Sequence, residues 1–335
     1  MAPPFFVSAA AATKVLDWSA VVAHLRRVYS LPLRPDGQPP RSVAHGDRAR
    51  LRTLSAALPS GRLVGAKLLA SSRSKRTAYL IALFDQEEGG LVALMDGNVI
   101  TACRTAATSA LAVDCIAPTA PLSLGILGSG MEARAHLLAI AAVRPLAQVL
   151  VFSPSAKNRE TFAAEFAERL GIACRAVDTP DAVVGGADLL VAAARSRDET
   201  PIFCGARLRS GMTVVSIGST MPEQREVDPE TIARSDLIVA DEPDEVAGKT
   251  GDFLAAAHAG IDFRRKVVSL NELVMGRVRE RLAKASLVLF KSVGCGIQDI
   301  SVAEYILDRA RDTGLAQDLP LELAIKRGTG EGQWF

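Results

Sequence analysis

Cysteine and histidine are scarce in this chain, and the few that occur are scattered. Five cysteines and four histidines occur in 335 residues. No two cysteines form a Cys-x-x-Cys pair, and the histidines stand apart at positions 24, 45, 136 and 258. Metal centres need several such ligands at short or matched spacing. The sequence therefore predicts no metal site and no disulfide framework, and reduced thiols are typical of a cytoplasmic protein.

Strong charge imbalance and long apolar runs are also missing. Lys and Arg number 39 against 37 Asp and Glu, so the formal net charge is +2. This balance gives no reason to expect nucleic acid or an anionic membrane as a partner. We find no apolar run near the roughly 20 residues of a membrane helix. Met1–Val7 has no basic region followed by a long apolar segment, so we expect no signal peptide and a cytoplasmic enzyme.

A glycine-rich turn lies between a predicted strand and a predicted helix near the middle of the chain. The apolar run Leu122–Leu127 leads into Gly128–Gly130, and a helix is predicted over Glu132–Val143. The first glycine suits a tight turn, the second lets a phosphate approach the backbone, and Ala133 lets helix and strand pack closely. The turn brings backbone N–H groups and the positive end of the helix dipole to one point. This context predicts a dinucleotide-binding site.

Two different patterns meet at Pro118 and Pro121. Before these prolines, a predicted amphipathic helix over Trp18–Tyr29 and a polar loop over Pro32–Asp47 precede short strand-like runs, which favours a mostly antiparallel sheet. After them, apolar runs alternate with helical segments, which indicates βαβ units and a parallel sheet. The predicted strands are Leu51–Leu58, Leu63–Ala70, Ala78–Phe84, Leu91–Met95, Leu122–Leu127, Gln148–Ser153, Ala173–Val177, Asp188–Ala193, Thr213–Ile217, Leu237–Ala240 and Leu287–Phe290. Further helices are predicted over 101–117 with Asn98 as its cap, Ala156–Leu170, Pro229–Ala233 and about 297–312.

The loop after the second strand of the parallel sheet bears on the choice of cofactor. In NAD-preferring folds of this type, an acidic residue at the end of that strand binds the ribose hydroxyls. Here Gln148–Ser153 is followed by Ser155, Lys157, Asn158 and Arg159, without a carboxylate. Hydroxyl and cationic groups suit a 2′-phosphate, although the same residues also suit a solvated first turn of a helix. We predict NADP(H) as the preferred cofactor, with NAD(H) as the alternative.

Three cationic side chains in the first part of the chain require a partner or a solvent-exposed position. Lys67 lies in an otherwise apolar strand, where it either faces solvent or points into a site. Arg104 lies on a helix rich in alanine, and Arg41 follows two prolines on a loop. Arginine binds carboxylates through two parallel hydrogen bonds. Together the three cations are consistent with a carboxylate-binding pocket.

Several segments follow one another in a specific order: Gly65-Ala66-Lys67, Met95-Asp96-Gly97, Thr101-Ala102-Cys103-Arg104-Thr105-Ala106-Ala107, Gly125-Ile126-Leu127-Gly128-Ser129-Gly130, and Phe290-Lys291-Ser292-Val293-Gly294 with Gln298-Asp299. In combination they resemble the ornithine cyclodeaminase/mu-crystallin family, from near Arg41 to about Ala310. The resemblance implies an α/β fold with a Rossmann NAD(P)-binding domain over 122–296. It also implies a smaller α+β substrate-binding and dimerisation domain, built from 1–121 and 297–335. Members are homodimers, and their reactions pass through an imine of a 2-oxo acid.

Carried over residue by residue, the resemblance implies roles for the cations. Arg41, Lys67 and Arg104 bind the substrate carboxylate, and Lys67 also serves as the proton donor, which makes Lys67 and Arg104 the predicted catalytic residues. Arg52 is interpreted as a surface residue, with binding of a second acidic group of the substrate as the alternative. Asp299 is interpreted as a cap of the last helix. The predicted cofactor-binding residues are Thr105, Gly128, Ser129, Gly130, Met131, Ser153, Ser155, Asn158 and Arg159.

One position separates the chemistries of the family. Cyclodeaminases carry an aspartate soon after the fifth Rossmann strand, and here Thr220, a predicted substrate-binding residue, stands in its place. A hydroxyl is a poor general base at neutral pH. We therefore predict an NAD(P)H-dependent imine reductase or amino-acid dehydrogenase with a small imino or amino acid as substrate. The alternatives are an ornithine cyclodeaminase and a non-catalytic NADP(H)-binding protein similar to mu-crystallin.

Overall fold

The structure is a computed structural model that describes residues 3–74, 76–194, 200–321 and 323. The chain divides into two compact units. Unit 1 contains Met1–Leu16, Arg34–Ile100 and Asp299–Phe335, and unit 2 contains Asp17–Leu33 and Thr101–Gln298. The predicted functional domains, 1–121 with 297–335 and 122–296, stay a prediction.

The helices and strands of the described residues have the following bounds. The strands are β1 (Phe5–Val7), β2 (Ser42–His45), β3 (Ala49–Ala57), β4 (Leu63–Ser72), β5 (Thr77–Asp85), β6 (Leu91–Asp96), β7 (Leu122–Leu127), β8 (Leu146–Phe152), β9 (Ala173–Ala176), β10 (Leu189–Ala192), β11 (Thr213–Ser216), β12 (Leu237–Ala240), β13 (Val267–Ser269), β14 (Val288–Lys291) and β15 (Gln317–Asp318). The helices are α1 (Ala9–Val15), α2 (Trp18–Tyr29), α3 (Gly97–Ile116), α4 (Met131–Ala141), α5 (Ala156–Leu170), α6 (Pro180–Gly186), α7 (Pro229–Arg234), α8 (Pro243–Lys249), α9 (Gly251–His258), α10 (Leu270–Val274), α11 (Arg279–Lys284) and α12 (Gly296–Asp312). Short 3₁₀ turns cover Pro35–Gly37, Gly205–Arg207 and Arg264–Lys266.

Unit 1 is built on a sheet. Among the described residues its strand order is β15-β1-β6-β5-β4-β3-β2. The strands from β2 to β6 pair antiparallel, as predicted, and β1 pairs parallel with β6. The prediction of a loop over Pro32–Asp47 was wrong in part, because this segment contains β2. The residues of β2 are all exposed, so no alternation of buried and exposed positions marks it as a strand.

Unit 2 holds a parallel sheet, which confirms the prediction from alternating strands and helices. In the described part of the chain its order is β13-β12-β14-β11-β10-β7-β8-β9, and every pair in it is parallel. Its central strands β10, β11, β12 and β14 are buried along their whole length, as expected for a sheet covered on both faces. The strand order reverses direction at β7, and ligands of such folds bind outside the carboxyl ends of strands at that point.

Helix bounds agree with prediction where the capping signal is local. Asp17 accepts a hydrogen bond from the Ala20 N–H at 2.8 Å, so α2 begins at Trp18. Helix α3 begins at Gly97, earlier than predicted. The cap prediction for Asn98 was wrong, because the Asp96 carboxylate accepts the hydrogen bond from the Asn98 N–H at 2.9 Å.

Helix α3 is also long and apolar enough to be a candidate membrane span by length and composition, contrary to the expectation from the sequence. The interior of the protein accounts for this composition, since 61% of its apolar window is buried. A core helix of a globular protein has the same properties.

Candidate functional site

Lys67 lies on the buried face of the unit 1 sheet. Burial alternates along β4, and Lys67, which is 2% exposed, shares its face with Leu63 and Gly65. Its register neighbours Leu54 and Ile81 are also buried. A charged group in such surroundings is costly unless it is paired. The alternative of a surface lysine is therefore excluded.

The partner of Lys67 is Asp299, at 2.7 Å between Nζ and Oδ1. Asp299 lies in the first turn of α12 and is fully buried. The interpretation of Asp299 as a helix cap therefore missed its main contact. Its position between the apolar residues Ile297 and Ile300 was a signal of burial in the sequence, and it did not reveal the partner because 232 residues separate the two side chains.

Arg52 lies on β3, and Arg41 lies just before the neighbouring strand β2. Arg41 is half-buried and directly precedes β2, whose first residue Ser42 pairs with Thr53. Neighbouring strands lie about 4.8 Å apart, so the backbone of Arg41 is two strand spacings, or about 10 Å, from the backbone of β4. Arg52 is half-buried and stands two residues before the buried Leu54, so it lies on the face that carries Lys67 rather than on the opposite face.

Arg104 and Thr105 lie on α3 within unit 2. Arg104 is 8% exposed, and its Nη1 donates a hydrogen bond to Oε1 of Gln298 at 3.2 Å. The hydroxyl of the buried Thr105 donates to the carbonyl oxygen of Thr101 at 2.8 Å. Arg104, a predicted substrate residue, is thus a buried cation within unit 2.

The glycine turn after β7 is built to approach a ligand closely. Gly128 has φ +121°, and a Cβ there would lie 2.6 Å from the carbonyl oxygen of Ala193. Gly130 is the N-cap of α4 and provides no side-chain cap, and a Cβ there would meet nothing within 4 Å. The open space and the uncapped helix N-terminus fit the pyrophosphate of a nicotinamide dinucleotide. Ser129 donates a hydrogen bond to Ser153 at 2.9 Å, and Met131 is 63% exposed.

The predicted loop for the adenosine ribose lies at the start of α5. The exposed Ser155 caps this helix by accepting a hydrogen bond from the Asn158 N–H at 3.3 Å. Arg159 donates to the carbonyl oxygen of Ser153 at 3.1 Å and to Asp178 at 2.6 Å. Asp178 lies after the next strand, β9, and its contact with Arg159 could not be expected from the loop sequence alone. Arg159 is therefore already held by an exposed carboxylate.

Thr220 lies in the loop after β11, next to a buried network of charges. Its N–H donates to Oε1 of Gln224 at 3.0 Å. Two residues earlier, the Gly218 N–H donates to the fully buried Glu226 at 2.8 Å. Glu226 also accepts a hydrogen bond from the Ser216 hydroxyl at 2.6 Å. Burial, the largest cause, raises the pKa of Glu226 to about 7, against the lowering effect of Lys291.

The raised pKa of Glu226 predicts a pH dependence of stability. A carboxyl of this type has an unperturbed pKa of 4.5, so between pH 4.5 and about 7 the folded state keeps a proton that the unfolded state releases. The stabilisation is complete below pH 4.5 and is lost as the pH rises through 7. We expect the free energy of unfolding of the wild type, minus that of Glu226→Gln, to fall by at most about 1.4 kcal/mol per pH unit in this window.

Urea unfolding between pH 5 and 8 measures this difference. The comparison with a variant is necessary because burial lowers the pKa of His136 to about 4, which acts in the opposite direction. Glu223→Gln, which changes an exposed carboxyl on the same loop, is the matched control and should give a curve parallel to the wild type. A parallel curve for Glu226→Gln would contradict the prediction.

Comparisons with known proteins agree with this architecture. Residues 29–314 match the model of the ornithine cyclodeaminase/mu-crystallin family. The chain is 27% identical over 280 residues to Delta(1)-pyrroline-2-carboxylate reductase of Bacillus cereus, covering 83% of this chain and 82% of the relative. It is 30% identical over 228 residues to ketimine reductase mu-crystallin of Mus musculus, covering 68% of each. The solved structure of Thermococcus litoralis Delta(1)-pyrroline-2-carboxylate reductase in complex with NADH and L-proline is 26% identical with a TM-score of 0.85, covering 94% of this chain and 100% of that one.

Proposed function

The chain belongs to the ornithine cyclodeaminase/mu-crystallin family, and from this we propose that it is a nicotinamide-dependent reductase of imines derived from 2-oxo acids. The observation that carries the choice of reductase is Thr220. Its hydroxyl and N–H face Gln224, and the carboxylate of Glu226 is fully buried against Gly218 and Ser216. Ring closure with loss of ammonia needs an accessible carboxylate at the Thr220 position, and imine reduction does not.

The chain's own residues supply the substrate contacts and the proton. We propose that Arg104 binds the substrate carboxylate through its guanidinium, with Arg41 as a second cation. Lys67 contributes to carboxylate binding and gives a proton to the imine nitrogen, and Asp299 holds the Lys67 ammonium in place. When bound, the nicotinamide cofactor supplies the hydride. Proton and hydride together convert the C=N bond into an amine.

Three finer assignments are part of the proposal. Preference for NADP(H) is supported by the exposed Lys157 and Asn158 at the start of α5, in a loop that itself has no carboxylate, while Arg159 beside them is paired with Asp178. A homodimer is supported by the family resemblance. The balanced charge and scattered cysteines support a cytoplasmic location.

Cofactor oxidation tests the proposed function. NADPH and NADH oxidation is followed with cyclic imino acids and with 2-oxo acids mixed with ammonia or methylamine. We expect turnover of at least one imine, faster with NADPH, and no proline from ornithine. Proline formed from ornithine, without reduction of any imine, would contradict the proposal and favour the cyclodeaminase. Faster turnover with NADH would contradict the cofactor preference alone.

A further inference from the structure

The guanidinium of Arg104 is held by two residues that contribute no chemistry to the proposed reaction. Gln298 accepts a hydrogen bond from Arg104 Nη1 at 3.2 Å. Gly294 also lies against the guanidinium, and a Cβ at Gly294 would overlap it. Gly294 also has φ +76°, where residues other than glycine are strained. Both contacts restrict the plane in which Arg104 presents its N–H groups.

The orientation of the Gln298 amide follows from its other partners. Its Nε2 donates to Oδ2 of Asp241 at 3.0 Å and to the hydroxyl of Tyr29 at 3.2 Å. A carboxylate only accepts hydrogen bonds, so the NH₂ group must face Asp241. If the Gln298 amide were reversed, its oxygen would face the Asp241 carboxylate and its NH₂ group would face the Arg104 guanidinium. Asp241 therefore decides that Gln298 presents an acceptor to Arg104.

Asp241 also fixes the backbone at Gly294. Its carboxylate, on a residue that is 5% exposed, accepts hydrogen bonds from the N–H groups of Val293 at 3.0 Å and Gly294 at 2.8 Å. The Ser292 hydroxyl donates to the same carboxylate at 2.6 Å. These two contacts of Arg104 thus depend on one carboxylate, which directly follows β12.

We propose that Asp241 is a positioning residue, which acts through Gln298 and Gly294 to orient Arg104 for substrates that carry a carboxylate. The inference rests on the proposed function, because it takes Arg104 as the carboxylate ligand. Asp241 itself need not touch substrate or cofactor. Its removal is expected to weaken carboxylate recognition specifically, since charge-assisted hydrogen bonds depend strongly on geometry.

Asp241→Asn and Gln298→Met test whether Asp241 positions Arg104 through Gln298. With the cyclic imino acid that the wild type reduces best, we expect KM to rise about 10- to 100-fold, the range for misplaced hydrogen bonds to a charged group, with kcat changed by less than about threefold. Calorimetric affinity for L-proline should fall by a similar factor. Affinity for pyrrolidine, which has no carboxylate, and for NADPH should stay at the wild-type values.

Gly294→Ala gives an independent test with a matched control. The added methyl group should displace the flexible end of Arg104 and raise KM as the other variants do. Gly171→Ala introduces the same backbone strain at φ +66° after α5, where a Cβ meets nothing within 4 Å. We expect Gly171→Ala to lower the melting temperature by a similar amount and to leave KM unchanged.

The outcomes distinguish a failure of the proposed function from a failure of the positioning inference. If the wild type reduces no imine, the proposed function fails. If the wild type is active and the variants lose stability and NADPH affinity with no change in KM, Asp241 is only a structural residue and the positioning inference is overturned. A rise in KM confined to carboxylate substrates, absent in Gly171→Ala, supports it.

Discussion

Replacement of Lys67 by methionine is expected to lower kcat/KM by at least about 10³-fold, with little change in cofactor affinity. General acid catalysis contributes about 10²- to 10⁴-fold, and a lost hydrogen bond to a charged substrate adds to that. Methionine matches the length of the lysine stem but has no ammonium. Steady-state kinetics with the best imine substrate gives the rate, and fluorescence titration with NADPH gives cofactor affinity.

A control for folding is necessary, because Lys67 forms a buried ion pair with Asp299. Removal of one member of such a pair costs about 3–5 kcal/mol, since the other charge stays buried. The double variant Lys67→Met/Asp299→Asn removes both charges and should regain part of the stability without regaining activity. If Lys67→Met were as active as the wild type, the assignment of the proton donor would be wrong.

A large effect on stability is also expected at Lys291, in the central strand β14. Lys291 is fully buried, and its Nζ donates hydrogen bonds to Asp252 at 2.7 Å and to the Ser216 hydroxyl at 2.8 Å. Asp252 also accepts the backbone N–H groups of Glu226 and Val227, at 2.8 and 3.2 Å. We expect Lys291→Met to lower the free energy of unfolding by about 3–5 kcal/mol, because the Asp252 carboxylate loses its counter-charge.

Urea unfolding at neutral pH measures the effect of Lys291→Met. Lys284→Met, at an exposed position of α11, controls for the loss of a lysine and should stay within about 0.5 kcal/mol of the wild type. The double variant Lys291→Met/Asp252→Asn should regain part of the loss, since an asparagine oxygen still accepts the backbone hydrogen bonds. A loss below about 1 kcal/mol in Lys291→Met would show that the pair adds little to stability.

The sequence alone was sufficient for features that depend on neighbours in the chain. The strand, glycine turn and helix around Gly128–Gly130 are local, because turn geometry and helix start are set within a few residues. The same holds for Trp18–Tyr29, whose cap Asp17 directly precedes it. Continuous apolar runs were also enough to predict the parallel sheet of unit 2, since buried strands must be apolar on both faces. The family followed from short segments whose order can be seen without a structure.

Contacts between distant segments were decided only by the tertiary structure. Residue type and alternation left the face of Lys67 open, and its pairing with Asp299 became visible only when β4 and α12 were in place. The hydrogen bonds from Gln298 to Asp241 and from Arg104 to Gln298 join segments far apart in the chain. A hydrogen bond depends on distance and direction in space, which spacing along the chain does not specify. The chemistry of the residues was therefore evident in the sequence, and their partners were determined by the fold.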